Sequence, residues 1–81
     1  MTPTTLARAM AEVTNEFRRA AIAHRPMHSP HEGWAVIREE MDELWEHVRA
    51  NTGRSAEARH EACQIAAMAV RYMLDLTEGE P

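Results

Sequence analysis

The chain has 81 residues, of which 44% are hydrophobic and 27% charged, and this composition predicts one small folded domain over residues 1–81 and excludes a disordered chain. Thirteen acidic residues outnumber nine basic residues, and the net charge of −4 disfavours non-specific binding to a nucleic acid polymer. Because no stretch approaches about 18 consecutive apolar residues and residues 1–10 lack an apolar signal core, we expect a cytoplasmic protein with no membrane partner.

Apolar residues recur at helical spacing along the chain, and no segment shows the alternation that is typical of a strand. The first helix is predicted over residues 4–24 and should end before Pro26, which disfavours helical backbone in the residue that precedes it. Its apolar stripe consists of Leu6, Met10, Val13 and Phe17.

A second helix is predicted over residues 30–50. Ser29 and Glu32 have the spacing of a capping box, and Pro30 suits the first helical position. At the other end, Gly53 is expected to provide the left-handed conformation that stops the helix. The apolar stripe of the second helix consists of Trp34, Ile37, Met41, Leu44 and Val48.

A third helix is predicted over residues 56–76, with Ser55 as its N-cap and Cys63 as a small apolar side chain within it. Because the linker that precedes it has only about five residues, the second and third helices should form an antiparallel hairpin. The predicted fold is therefore an all-α, three-helix protomer. The apolar stripe of the third helix consists of Ala62, Ile65, Ala69, Tyr72 and Leu76.

The small size of the chain also predicts self-association. A domain of this length buries only about 60% of its unfolded surface, and two Trp, one Tyr and one Phe supply few large side chains for a core. We expect the apolar stripes to pair between copies, which would give a homodimer or homotetramer that resembles a four-helix bundle.

Acidic residues of the second helix fall into two groups. Asp42 and Glu46 have the spacing of an exposed ion-pair ladder with Arg38 and Arg49. In contrast, Glu40 and Glu43 lie about 70° and about 130° to one side of the apolar stripe. On the third helix, Glu61 and Gln64 lie about 50° and about 110° from the stripe in the same rotational sense.

In an antiparallel hairpin these four side chains share one face, with Glu43 level with Glu61 and Glu40 level with Gln64. Two carboxylates about 4 Å apart repel by about 4 kcal/mol at an effective dielectric constant near 20, and a cation would remove this cost. Oxygen ligands without a thiolate favour Mg²⁺, with Mn²⁺ as an alternative. The spacing predicts a metal site, and a solvated acidic face is the other interpretation.

These residues resemble a known motif. Glu39-Glu40-Met41-Asp42-Glu43, followed after 17 residues by Glu61-Ala62-Cys63-Gln64, is similar to the E-E-x-x-E and E-x-x-D signature of the MazG-like nucleotide pyrophosphohydrolases. Gln64 departs from the signature, which has Asp at this position. The resemblance covers roughly residues 29–76.

The resemblance implies Mg²⁺-dependent hydrolysis of a nucleoside triphosphate to the monophosphate and pyrophosphate. It also implies that Glu40, Glu43, Glu61 and Gln64 bind the metal. Glu39 is then the candidate to orient or deprotonate the attacking water.

Two further residues are candidates for substrate contacts. Arg71 has the chemistry of a phosphate clamp, and an ion pair with Asp75 is the alternative. Trp34 has an aromatic face that can stack on a base, and core packing is the alternative.

Two other functions fit parts of the sequence. Gln64 at the Asp position also fits a non-catalytic helical interaction module. The E-x-x-H unit formed by Glu57 and His60 fits a ferritin-like di-iron protein, which would need a second such unit.

Overall fold

The computed structural model of the protein describes residues 1–78, and within them it contains three α-helices and no strand. The helices are α1 (Pro3–Ala23), α2 (Pro30–Arg49) and α3 (Ala56–Tyr72), and α3 continues into a π-helical segment, Met73–Thr77. The predicted all-α fold with three helices is confirmed. Residues 79–81 of the predicted domain lie outside the described residues.

Side-chain caps explain where the helices begin. Thr2 accepts a hydrogen bond from the backbone N–H of Thr5 at 3.1 Å, and Ser55 accepts one from the N–H of Ala58 at 3.0 Å. Ser29 accepts one from the N–H of Glu32 at 3.1 Å. Each cap satisfies a donor that the first helical turn leaves without a partner.

The capping box at the start of α2 differs from the prediction. The carboxylate of Glu32 accepts from the backbone N–H of His28 and pairs with Arg25 at 2.7 Å. The predicted partner was the N–H of Ser29. Glu32 therefore ties the α1–α2 linker to the start of α2, one residue further back than a standard capping box.

The end of α2 also corrects a prediction. Asn51 has a φ of 62°, whereas Gly53 has no left-handed φ. Asn adopts this region more readily than other residues with a side chain, because its short amide bonds locally to the backbone. The left-handed conformation that follows the end of α2 is therefore provided by Asn51.

α3 packs against both α1 and α2, and the buried core is small. It is formed by Ala20, Met27, Ala67 and Met68, with Phe17, Val36, Ile37, Tyr72 and Leu76 packed around it. The predicted apolar stripes are only partly buried. Leu6, Met10, Trp34, Met41 and Val48 are between 44% and 56% exposed in the protomer.

Gly33 allows α2 to approach the end of α3 closely. A Cβ atom at this position would lie 2.6 Å from Cδ2 of Tyr72 and 3.1 Å from Cδ1 of Leu76. Glycine is required here for space, since the backbone is helical.

None of the helices within residues 1–78 has the length and apolar character needed to cross a bilayer.

Candidate metal centre and adjoining cavity

Three carboxylates from two helices meet at one place. Glu40 and Glu43 are three residues apart on α2, so they project from the same side of that helix, and Glu61 comes from α3. Each contributes one oxygen, and these oxygens lie within 4.8 Å of one another. Among His, Cys, Asp and Glu within residues 1–78, this is the group close enough to share an ion.

The electrostatics of the group reflect this proximity. Burial, together with a hydrogen bond to Glu43 and the charges of Glu43, Glu61 and Glu39, raises the pKa of Glu40 to about 7. Burial and the neighbouring Glu43 also raise the pKa of Glu61. The raised pKa values mean that burial first, and repulsion between the carboxylates second, disfavour the ionised forms of Glu40 and Glu61, and a proton or a cation relieves this cost.

The donor set fits a hard divalent cation. Its ligands are carboxylate oxygens without a thiolate, and Glu43 is exposed, which leaves room for water on the ion. Mg²⁺ is bound through a few carboxylates while it keeps several waters. The chemistry of these residues therefore matches the ion that the sequence predicts.

Gln64, the fourth predicted metal ligand, has a different set of contacts. Its Nε2 atom lies 3.2 Å from Nε2 of His60, one turn earlier on α3. A hydrogen bond from Gln64 also contributes to the low pKa of Glu16, behind the larger effect of Arg19. Gln64 lines the cavity that adjoins the carboxylates, together with Glu39 and Glu40.

This cavity has a volume of about 440 Å³ and opens between the three helices. Its acidic residues, Glu32, Glu39 and Glu40, all come from α2. The basic residues come from elsewhere: Arg19 from α1, Arg71 from α3, and His24 and Arg25 from the α1–α2 linker. Apolar side chains such as Val36 and Met68 complete the lining. The cavity therefore offers both signs of charge beside the carboxylate group.

Arg71 and Trp34, the two predicted substrate residues, have very different surroundings. Arg71 is only 5% exposed and lines the cavity. Its Nε atom is 3.9 Å from Oδ2 of Asp75, so the alternative ion pair is present but long. Trp34 is 56% exposed and is not among the residues that line the cavity.

Sequence reasoning missed the contribution of α1 and the linker. Arg19, His24 and Arg25 reach the cavity only because α1 packs against α3 and the linker returns beside it. The closely spaced basic residues at the end of α1 were a visible signal. Their periodicity gave no indication of which neighbour they would meet.

Comparison of the chain with protein-family models, with curated proteins and with solved structures gave no match. The likeness to the MazG-like family therefore rests on the motif residues, and the activity it implies is argued below from the site.

Proposed function

We propose that the protein is a Mg²⁺-dependent nucleoside triphosphate pyrophosphohydrolase, which forms the monophosphate and pyrophosphate. The observation that carries the proposal is the convergence of Glu40, Glu43 and Glu61 within 4.8 Å at the edge of a cavity that also contains arginines. Carboxylates that hold a divalent cation beside guanidinium groups suit an anionic phosphate ester. A nucleoside triphosphate substrate implies a cytoplasmic location.

Each residue has a role in this proposal. Glu40, Glu43 and Glu61 bind Mg²⁺, or Mn²⁺ in its place, and Gln64 hydrogen-bonds a phosphate oxygen or a coordinated water. When bound, the cation neutralises charge on the phosphate oxygens and positions them for in-line attack by water. Glu39 lines the cavity next to Glu40, where its carboxylate can orient or deprotonate that water.

The test is a panel of natural and modified nucleoside triphosphates with Mg²⁺, in which pyrophosphate release is measured. We expect Glu43→Gln to reduce kcat/KM by about 100-fold or more, because it removes a charged ligand of the ion. Asp42→Asn is the matched control, since Asp42 is exposed on the same helix and pairs with Arg38 at 3.1 Å. Equal turnover by wild type and Glu43→Gln would refute the proposal.

We also propose that α2 and α3 form an antiparallel hairpin and that two copies associate. The protein exposes 6084 Å², against about 4,900 Å² for a compact monomer of 9.2 kDa. The excess is larger than the roughly 800 Å² that each partner buries in a standard interface. The proposed assembly is a homodimer or, as the larger alternative, a homotetramer.

The proposed contact is an exposed apolar surface that we call the α2 stripe, formed by Trp34, Met41, Trp45 and Val48. It differs from the apolar stripe predicted from the sequence, because it includes Trp45 and leaves out Ile37 and Leu44. The four side chains of the α2 stripe are between 44% and 56% exposed. At about 100° per residue they span an arc of about 60°, centred about 140° from the midpoint between Glu40 and Glu43. Association through the α2 stripe therefore leaves the carboxylates accessible, and it gives Trp34 a subunit contact instead of a base contact.

A non-catalytic helical interaction module is the second candidate. The observation that favours it is Gln64, a neutral residue whose amide lies beside His60. This function predicts stabilisation by Mg²⁺ without release of pyrophosphate from any nucleotide of the panel.

The di-iron alternative has little support from the site. Glu57 and His60 line a groove with His47 and Glu61. Neither Glu57 nor His60 belongs to the group of three carboxylates that could share an ion.

A further inference from the structure

The cavity contains a buried guanidinium group with few acceptors. Nη2 of Arg71 donates to the backbone carbonyl of Arg25 at 2.8 Å. Nη1 has only the thioether sulfur of Met68, at 3.7 Å, among the described residues. A sulfur atom is a weak acceptor, and a guanidinium group has five N–H donors.

The nearest carboxylate does not satisfy this charge. Oδ2 of Asp75 is 3.9 Å from Nε of Arg71, and the same oxygen accepts a 2.8 Å hydrogen bond from the backbone N–H of Met27. The shorter contact of Asp75 is therefore with the α1–α2 linker and not with Arg71. A buried guanidinium group with a single close oxygen acceptor, the carbonyl of Arg25, is costly, and an anion in the cavity would supply further oxygen acceptors.

Two other arginines of the cavity are available to the same anion. Arg19 pairs with Glu16, and Arg25 pairs with Glu32, but their side chains are 60% and 66% exposed. Arg25 can turn toward a ligand at small cost, because its ion pair with Glu32 is the more exposed of the two and such pairs contribute little to stability. A similar movement of Arg19 would cost more, because it would leave Glu16, whose side chain is only 10% exposed, without its partner. The acids of α2 would repel a bare anion, but they favour an anion that carries a divalent cation.

We propose that this cavity is an oligophosphate-binding subsite, in which Arg71 donates hydrogen bonds to the terminal phosphates of the substrate and holds the pyrophosphate product. The inference rests on the proposed function for the identity of the ligand. Arg71 lies seven residues beyond Gln64 on α3, a rise of about 10 Å, which suits a phosphate chain that extends away from the carboxylates.

Calorimetric titration with inorganic pyrophosphate tests the subsite without any turnover. We expect wild type to bind pyrophosphate more tightly with Mg²⁺ than without it, and at least about tenfold more tightly than inorganic phosphate. Arg71→Gln should weaken pyrophosphate binding by about tenfold or more. Arg38→Gln is the control and should bind like wild type, because Arg38 is exposed and pairs with Asp42 outside the cavity.

A folded Arg71→Gln protein with wild-type affinity would overturn the proposal, as would a wild type that does not bind pyrophosphate. If Arg71→Gln fails to fold, Arg25→Gln decides: several-fold weaker binding of pyrophosphate supports the subsite and unchanged binding refutes it. Pyrophosphate binding that depends on Arg71, without hydrolysis of any nucleotide, would support the subsite and refute the enzyme. Hydrolysis of a nucleotide, together with pyrophosphate binding that Arg71→Gln leaves unchanged, would support the enzyme and refute the subsite.

Discussion

Glu40 links the protonation state of the site to stability. Its pKa is about 7 in the folded protein and 4.5 as the reference value, so between these pH values the folded state retains a proton that the unfolded state has released. The free energy of unfolding without metal should therefore fall as the pH rises from about 4.5 to about 7. The raised pKa of Glu61 adds a change in the same direction.

Thermal unfolding without Mg²⁺ over this pH range checks this prediction. The Tm of wild type should decrease more steeply with pH than that of Glu40→Gln, which has no titrating group at this position. Added Mg²⁺ at pH 7.5 should restore stability in wild type and do so much less in the variant. Parallel pH profiles for the two proteins would contradict the prediction.

Gln64 is the neutral residue among the four side chains of the proposed metal site. Gln64→Asp adds a fourth carboxylate near Glu40, and we expect the affinity for Mg²⁺ to increase on the order of tenfold, because ligand charge governs the binding of hard cations. A Mg²⁺ titration followed by thermal shift measures the change. Gln64→Asn is the matched control with the same shorter side chain and no charge, and an equal gain in both variants would contradict the electrostatic explanation.

At the level of elements, the contact of α2 with the end of α3 depends on Gly33. Gly33→Ala gains helix propensity, about 1 kcal/mol, but its methyl group meets the ring of Tyr72 at 2.6 Å. Overpacking costs about 1–3 kcal/mol, so we expect a net loss of about 1 kcal/mol. Denaturant unfolding provides the measurement.

Gly53→Ala is the control for this substitution. A Cβ atom at Gly53 meets Val48 at 3.5 Å, which is an ordinary contact, and the stability should change little. If Gly33→Ala were as stable as Gly53→Ala, the close approach of the two helices would not be the reason for glycine at position 33.

The ends of the helices also show which structural features a local sequence pattern can predict. α2 and α3 begin directly after Ser29 and Ser55, the N-caps that the sequence predicts, because a cap depends on a few neighbouring residues. The sequence predicts that Gly53 takes the left-handed conformation at the end of α2, and Asn51 takes it instead. Both residues tolerate this conformation, so the sequence alone did not distinguish them.

For the whole molecule, the proposed dimer depends on the α2 stripe. We expect Trp45→Glu to dissociate the proposed dimer, because it places a charge in an apolar interface. Sedimentation velocity over a range of concentrations measures the effect. Ile22→Glu is the control, since Ile22 is 88% exposed on α1, outside the α2 stripe, and this variant should remain associated. A monomeric wild type would contradict the proposal.

The sequence by itself determined the three helices and the positions of Glu40, Glu43 and Glu61 on them, because 3.6-residue periodicity and a short connection are local properties. Only the tertiary structure decided which part of each apolar stripe is buried and which basic residues meet the carboxylates. The contact of Arg71 with Arg25 joins residues 46 apart, and that of Met27 with Asp75 joins residues 48 apart. Such contacts depend on how α1 packs against α3, and helical periodicity carries no information about the neighbouring helix.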